Sequence, residues 1–376
     1  MTKDKTWLTV KEEPLAGYSL GTFVRVLWDN KFAVDLKYFH RFLYAVILMI
    51  IVTPLRFYQK IRFHRKIKNT EIKEDPIFII GHYRTGTTYL MTLMAYDKSK
   101  GYVSNVEGYA TLIYLGFPKL TKWIIESSLP DVRPMDNVIM GAEEPTEEEY
   151  CLGTFTPYGY YTGFIFPRNF DLYSQFLTFE GMPQHLRKWK KKYAYLVKML
   201  TLGHNGKPLF LKNPVLSYKL KDILEMYPNA KFIHTYRNPY KVYSSTVKFF
   251  DEVFAIYTLQ KWDKEKMKQD ILKNFQLLYE CHDRDLHLIP EENIVHVKYE
   301  EFIKNPSKMM EHIYSYLKLD GWDEYKDNMI AYAESQRREY VPNNHITDKD
   351  VIRRVNEHWD EYREKYGYEK LEVSGK

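Results

Sequence analysis

The sequence predicts an α/β fold, with a central, mainly parallel sheet flanked by helices. Two patterns carry that expectation. Apolar runs of strand length recur at 77–80, 209–211, 232–235 and 294–298, and helix-like segments such as 219–226 and 306–317 lie among them. Strands that alternate with helices need crossover connections, which make a sheet parallel and cover both of its faces. The second pattern is local. The octapeptide Gly81-His82-Tyr83-Arg84-Thr85-Gly86-Thr87-Thr88 follows the apolar run Pro76-Ile77-Phe78-Ile79-Ile80 and precedes the helical Tyr89-Leu90-Met91-Thr92-Leu93-Met94. Strand, glycine-bounded loop and helix start aim unpaired N–H groups and the positive end of a helix dipole at one spot, where a phosphate fits.

Residues 1–36 lack the charged start, apolar core and small-residue cleavage site of a signal peptide, so none is expected. Residues 42–52 are continuously apolar and end at Thr53-Pro54. That run is shorter than the roughly 20 residues of a membrane-spanning helix. Arg56, Lys60, Arg62, Arg65, Lys66 and Lys68 follow, with Phe57, Tyr58, Ile61 and Phe63 between them. Cations and aromatics beside an apolar plug suit a helix lying in, or dipping into, an anionic membrane face. Residues 38–68 are therefore expected to make peripheral membrane contact; a buried core helix with a solvated basic tail is the alternative. On this reading 1–74 form an N-terminal segment, and the catalytic domain occupies 75–376. Residues 100–205 hold many aromatics and prolines in poor periodicity, which predicts helices and long loops covering a site. No internal repeat or low-complexity linker interrupts the chain.

The composition, 45% apolar and 28% charged, is that of a globular protein. The 16% of aromatic residues, 33 tyrosines among them, fit core packing, an aromatic-lined pocket or a membrane-facing surface. The net charge of +6 suits anionic ligands and anionic lipid. With no zinc-finger spacing, RNP motif or basic block beside a recognition helix, nucleic-acid binding is not expected. Two cysteines, Cys151 and Cys281, exclude a disulfide scaffold and fit a reducing cytoplasm.

Three stretches carry chemistry. The two glycines of 81–88 have P-loop spacing, but Thr-Thr follows Gly86 where a P-loop has Lys-[Ser/Thr]. The cation is Arg84, inside the loop. That suggests a phosphate-bearing donor other than a nucleoside triphosphate with magnesium, and no metal site is expected. The second stretch runs from 232 to 245. Its strand ends in Arg237, and a turn at Asn238-Pro239 starts a helix carrying Ser245. Arg237 is placed to fork onto a phosphate, with Ser245 offering a second hydrogen bond; a surface turn is the bland alternative. In the third, Val297-Lys298-Tyr299-Glu300-Glu301-Phe302, Tyr299 either stacks on a base or packs into the core. The acidic stretch 141–149 reads mostly as a solvated helix start, with Pro145 at its first position.

Together these stretches resemble the sulfotransferases that use 3′-phosphoadenosine 5′-phosphosulfate (PAPS), over about 75–368. Residues 81–88 look like the family's 5′-phosphosulfate loop, in the Gly-His-[Trp/Tyr]-Arg-[Ser/Thr]-Gly-Thr-Thr form of a bacterial branch. That branch also has an apolar-basic N-terminal segment, an acidic motif and a Gly-Tyr end, here Gly367-Tyr368. Lys212-Asn213-Pro214 resembles the family's lysine strand end. The resemblance implies a P-loop-like sulfotransferase fold and metal-free transfer of a sulfonate from PAPS to a hydroxyl, leaving adenosine 3′,5′-bisphosphate. It implies that Arg84, Thr85, Gly86, Thr87, Thr88 and Tyr89 hold the 5′ end, Arg237 and Ser245 the 3′-phosphate, and Tyr299 the adenine. Arg84 would stabilise the leaving group and Lys212 reach the sulfonate.

The base is less direct. The family's cytosolic small-molecule branch has a histidine two residues after the lysine, where this chain has Pro214. Branches acting on protein tyrosine and glycans use a glutamate beyond the loop helix, and Glu107 matches that position. His82 and His345 are further candidates for the base, and Arg337 and Arg338 for a late basic loop over the 3′-phosphate. The expected acceptor is an amphiphilic alcohol, lipid or sterol-like, met in the cytoplasm at the inner membrane face. A carbohydrate or tyrosine hydroxyl, an ATP-dependent P-loop kinase and an inactive scaffold are the alternatives.

Overall fold

In the computed structural model, residues 8–11, 13–129, 141–339 and 348–373 are described, the side chains of 337–339 excepted. In chain order the first elements are α1 (Leu20–Asp29), α2 (Phe39–Asn69), β1 (Ile77–Gly81), α3 (Thr87–Met94), β2 (Gly101–Tyr102), α4 (Asn105–Ala110), α5 (Pro118–Ser128) and α6 (Glu148–Phe155). There follow α7 (Thr162–Ile165), α8 (Phe170–Ser174), α9 (Pro183–Gly203), β3 (Leu209–Lys212), α10 (Leu220–Met226), β4 (Lys231–Tyr236) and α11 (Pro239–Tyr257). The chain closes with α12 (Lys264–Asp285), β5 (Ile294–Lys298), α13 (Tyr299–Phe302), α14 (Pro306–Tyr316), α15 (Trp322–Glu339), α16 (Lys349–His358) and α17 (Asp360–Lys365). The four strands expected from apolar runs are β1, β3, β4 and β5. The two-residue β2 is too short to leave a pattern.

The chain forms two compact units. One comprises Met1–Glu74, Gly101–Leu211 and Asp251–Asp263; the other comprises Asp75–Lys100, Lys212–Phe250 and Lys264–Lys376. In the second unit β4 pairs in parallel with β1 on one side and β5 on the other, with Ile233 opposite both Ile79 and Val295. All five residues of β1 are buried, as expected for a strand covered on both faces. Asn213 N–H donates to the Ile79 carbonyl at 3.2 Å, so the chain leaving β3 runs beside β1. Phe275 of α12 stacks on Trp359 with ring centres 3.6 Å apart, tying α12 to the segment between α16 and α17.

In the first unit β2 and β3 pair in parallel. The 31-residue α2 buries Arg41, Ala45, Met49, Gln59 and Ile67 along one face. Beside that face, Val52 and Leu55 pack on a small core of Ala110, Ile113, Ile125 and Ala142. The 21-residue α9 buries Trp189, Tyr193, Leu196, Val197 and Leu200, at the spacing of one helical face.

The apolar run ends at Thr53-Pro54, but the helix does not: α2 passes through Pro54 to Asn69. Pro54 lies on the exposed side, and at that turn the Thr53 hydroxyl donates to the Met49 carbonyl at 2.6 Å. The acidic stretch is not a solvated helix start. Helix α6 begins at Glu148, and Pro145 instead forms an isolated antiparallel bridge with Ser104. Glu148 and Glu149 are buried, because donors inside the unit receive them. The Tyr193 hydroxyl donates to Glu148 Oε1 at 3.0 Å, and the Tyr160 N–H donates to Glu149 Oε1 at 2.9 Å.

Candidate active site

The loop after β1 is shaped by three residues with positive φ. Gly81 closes the strand at φ +131°, so near β4 that a Cβ would lie 2.3 Å from the Thr235 carbonyl oxygen. Gly86 is the N-cap of α3 at φ +96°, where a Cβ would lie 2.5 Å from Cδ2 of Tyr299. The Tyr299 ring therefore rests on the loop backbone. Between them Arg84 takes φ +68°, a conformation that non-glycine residues seldom adopt. The strained turn is held from inside: Thr85 Oγ1 donates to the His82 carbonyl at 2.7 Å and lies 2.7 Å from Thr235 Oγ1. Gly81 N–H donates to Ser217 Oγ at 2.9 Å. No side chain caps the start of α3, and an uncapped helix start presents its first N–H groups to an anion.

Two arginines meet this loop. Arg84 Nε donates to Ser245 Oγ at 2.8 Å. Arg237 Nη1 donates to the Arg84 carbonyl at 3.0 Å, and its guanidinium lies 4.0 Å from the centre of the Tyr299 ring, a cation–π contact. Arg84, Gly86, Arg237, Ser245 and Tyr299 are thus brought together, with Thr85 beneath and the buried Thr87 and half-buried Thr88 opening the helix. Tyr89 is half-buried; burial, then the neighbouring Tyr299, pushes its hydroxyl up to about 12, so it stays a neutral donor. Lys212 is buried at the end of β3, one residue before the chain bonds to β1.

A brace holds Arg237 in place. Asn238 Oδ1 accepts from the N–H groups of Tyr240 and Lys241, capping α11 with Pro239 as its first residue. Glu300 Oε1 accepts from Asn238 N–H at 3.0 Å, and Oε2 accepts from the Tyr368 hydroxyl at 3.0 Å. The Tyr362 hydroxyl donates to the Arg237 carbonyl at 2.9 Å. Glu300 and Tyr368 lie inside motifs the sequence displays, but nothing in the sequence pairs them. Tyr362 carries no signal at all.

His82 lies within the loop yet is buried. Its Nδ1 donates to the Tyr83 carbonyl at 3.0 Å, and its ring sits edge-on to Phe275 at 4.9 Å. Burial holds it down at about 4, so the ring is neutral at physiological pH. His345 and the side chains of Arg337 and Arg338 lie outside the described residues. Among the described residues no group of three or more His, Cys, Asp or Glu is arranged to hold a metal ion.

Glu107 belongs to the first unit. It is the third residue of α4 and closes a capping box: Ser104 Oγ accepts from Glu107 N–H, while Glu107 Oε2 accepts from Ser104 N–H at 2.8 Å. Its other oxygen, Oε1, lies 3.0 Å from Nε2 of His204. The two are close enough for an ion pair, but the contact is not aligned as a hydrogen bond. Burial alone would lower the His204 pKa, yet the Glu107 carboxylate outweighs it and the net shift is upward. His204 follows α9 as its C-cap and has no sequence signal that ties it to Glu107. The same unit holds a narrow cleft lined by Tyr18, Tyr109, Tyr150, Tyr161, Tyr257 and Glu149 among others.

Comparison with known proteins decides the family. A model described as the sulfotransferase family matches residues 76–324. The chain belongs to the sulfotransferase family. Two relatives carry the name omega-hydroxy-beta-dihydromenaquinone-9 sulfotransferase Stf3, one from Mycobacterium bovis (strain ATCC BAA-935 / AF2122/97) and one from Mycobacterium tuberculosis (strain CDC 1551 / Oshkosh). Each is 30% identical to this chain over 361 residues, covering 94% of it and 91% of the relative. The fold is shared with the crystal structure of sulfotransferase STF9 from Mycobacterium avium, at TM-score 0.64 and 16% identity, covering 96% of this chain and 89% of that one. It is shared also with sulfotransferase STF1 from Mycobacterium tuberculosis H37Rv, at TM-score 0.61 and 18% identity, covering 88% and 89%. The chain is therefore an α/β sulfotransferase, and the kinase and scaffold alternatives fall away.

Proposed function

We propose that this sulfotransferase moves a sulfonate from PAPS to the hydroxyl of an amphiphilic acceptor, in the cytoplasm at the inner membrane face. The observation that carries the donor reading is the cluster at the loop: Arg84 bonded to Ser245, with Arg237 stacked on Tyr299 and Tyr299 resting on Gly86. Two cations, an uncapped helix start and an aromatic ring match the two phosphates and the base of a bisphosphorylated adenosine.

Within this reading Arg84, Thr85, Gly86, Thr87, Thr88 and Tyr89 hold the 5′-phosphosulfate. Arg237 and Ser245 hold the 3′-phosphate, and Tyr299 faces the adenine. Arg84 and Lys212 stabilise the charge that grows on the bridging oxygen as the sulfonate departs. Glu107 takes the acceptor proton, oriented by His204 on one side and Ser104 on the other. His82, neutral and enclosed by aromatics, serves packing. The acceptor reading draws on the tyrosine-lined cleft and on the relatives, whose name cites a hydroxyl-bearing menaquinone derivative. Residues 38–68 are assigned the membrane contact.

Purified protein is tested in two steps. Adenosine 3′,5′-bisphosphate without magnesium should raise the melting temperature, and ATP with magnesium should not. Labelled PAPS with a panel of lipid alcohols, sterols, glycans and phenols then reports by mass spectrometry which hydroxyl gains a sulfonate. No shift with the bisphosphate would remove the donor assignment. Transfer only to a glycan or a tyrosine would replace the acceptor class.

A further inference from the structure

The α2 helix leaves an unusual amount of apolar surface in water. Phe39, Leu43, Ile47, Ile50, Ile51, Phe57, Tyr58 and Ile61 are all exposed, Ile61 to 80%. At 100° per residue they fall on one stripe, opposite the buried Arg41, Ala45, Met49 and Gln59. The stripe does not end with the helix. Leu36, 91% exposed, continues it backwards to Phe32, whose ring lies 6.3 Å from that of Trp28 on α1. Trp28 is 69% exposed and shares one side of α1 with Leu20 and Val24, while the other side packs through Phe23 onto Phe42 of α2. At the far end the Tyr58 ring lies 5.0 Å from Phe117, which opens α5, and α5 exposes Leu120 and Trp123, the latter to 64%. Exposed apolar residues thus lie on three helices that these ring contacts join.

Charge identifies the occupant. Between residues 39 and 69 there is no Asp or Glu, and Lys60, Arg62, Arg65, Lys66 and Lys68 are exposed. Arg65 and Lys68 lie on the stripe itself, just beyond Ile61. An apolar face with a basic end and no carboxylates of its own on α2 complements an anionic lipid leaflet.

The geometry also says how the helix lies. Phe39 to Ile61 spans about 33 Å, enough to cross hydrocarbon, and by length and composition the helix qualifies as a span. Its inner face forbids it. The guanidinium of Arg41 is fully buried and donates to the carbonyls of Thr9, Ala255 and Thr258 at 2.9, 2.7 and 3.0 Å. Gln59 donates to the Thr111 carbonyl and accepts from the N–H groups of Leu115 and Gly116. Arg56 donates to the Ala16 carbonyl at 2.6 Å. A spanning helix would break these bonds and strand a guanidinium in hydrocarbon.

We infer that α1, α2 and α5 form a single docking face for an anionic bilayer, on which α2 lies flat in the headgroup boundary without crossing. This deepens the membrane contact proposed above and rests on it only for the choice of partner. The test floats full-length protein with phosphatidylcholine vesicles, with and without phosphatidylglycerol. Binding should require phosphatidylglycerol, fall at high salt and be released by a carbonate wash. Trp28→Glu and the double variant Ile47→Glu/Ile51→Glu should each lose at least tenfold in vesicle affinity with unchanged circular dichroism. Arg65→Glu/Lys68→Glu should lose about fivefold per cation removed. Binding that resists carbonate would make α2 a span, and binding untouched by the Trp28 and Ile47/Ile51 variants would place the contact elsewhere. A lipid-free dimer split by Trp28→Glu would hand the face to a second copy of the chain. Each of these overturns the inference, as does failure to bind phosphatidylglycerol vesicles. Transfer to a water-soluble alcohol, measured alongside, should survive in all these variants; its absence in the wild type would count against the proposed function and leave the docking result standing.

Discussion

Arg84 sits at a positive φ, bonded through its side chain to Ser245 and through its carbonyl to Arg237. Replacing it should therefore remove both a charge and the seam of the cluster. Arg84→Ala and Lys212→Ala are each expected to lower kcat by 100-fold or more, the range for losing one stabilising donor. Near-normal turnover in both would dismiss the leaving-group role. Glu107 asks for a finer test, since it also caps α4. Glu107→Gln keeps an acceptor for Ser104, so the melting temperature should move little, while kcat should fall by 100-fold or more. The same variant should let the His204 pKa drop, because burial then acts unopposed; the imidazole shift in NMR reads this directly. Full activity would leave Glu107 a cap. The Ser-x-x-Glu signature of that cap was legible in the sequence, but His204, almost a hundred residues on, was not. Likewise each member of the Arg84–Ser245 pair was legible alone, while the bond spans 161 positions.

Among the elements, the loop from β1 to α3 shows why glycine is needed. Gly86→Ala would push a methyl against Tyr299 at a φ that side chains avoid. We expect the affinity for adenosine 3′,5′-bisphosphate to drop at least tenfold, by calorimetry, with a loss of roughly 1–3 kcal/mol in stability. Unchanged affinity would separate the ring from the nucleotide. Strands β1, β3, β4 and β5 were readable because buried strands are apolar runs bounded by turns. Helix α2 was only half readable. Its run 42–52 is apolar on all sides, so no periodicity tells which face meets the protein, and Pro54 suggests a stop although the helix runs on through it to Asn69. The acidic motif misled for the opposite reason. Charges at a helix start normally face water, and only the distant Tyr193 and the Tyr160 backbone make burial of Glu148 and Glu149 tolerable.

For the whole molecule the buried histidines and the buried carboxylates pull stability in opposite directions as pH changes. His82 is held at about 4 by burial, and His234 well below its ordinary value by burial and by His282 and His296 beside it. The unfolded chain then binds more protons between about 6.5 and 4, so stability falls as pH falls through that window. Glu148 goes the other way. Burial raises it to about 7, and its Oε2 makes no hydrogen bond among the described residues. The folded chain holds the extra proton, so this contribution is complete below the ordinary carboxylate value and lost as pH rises through about 7. Glu148→Gln should remove this loss, gaining on the order of 3 kcal/mol relative to wild type between pH 5 and pH 8. Parallel melting curves of the two proteins from pH 5 to 8 would refute the assignment. Strands β1, β3, β4 and β5 and the glycine-bounded loop between β1 and α3 could be read in one dimension, because hydrophobic period and turn chemistry are local. Which charges pair, which carboxylates are buried and which face of α2 stays bare required the folded chain. Burial and partnership depend on segments far apart in sequence, and no local pattern records them.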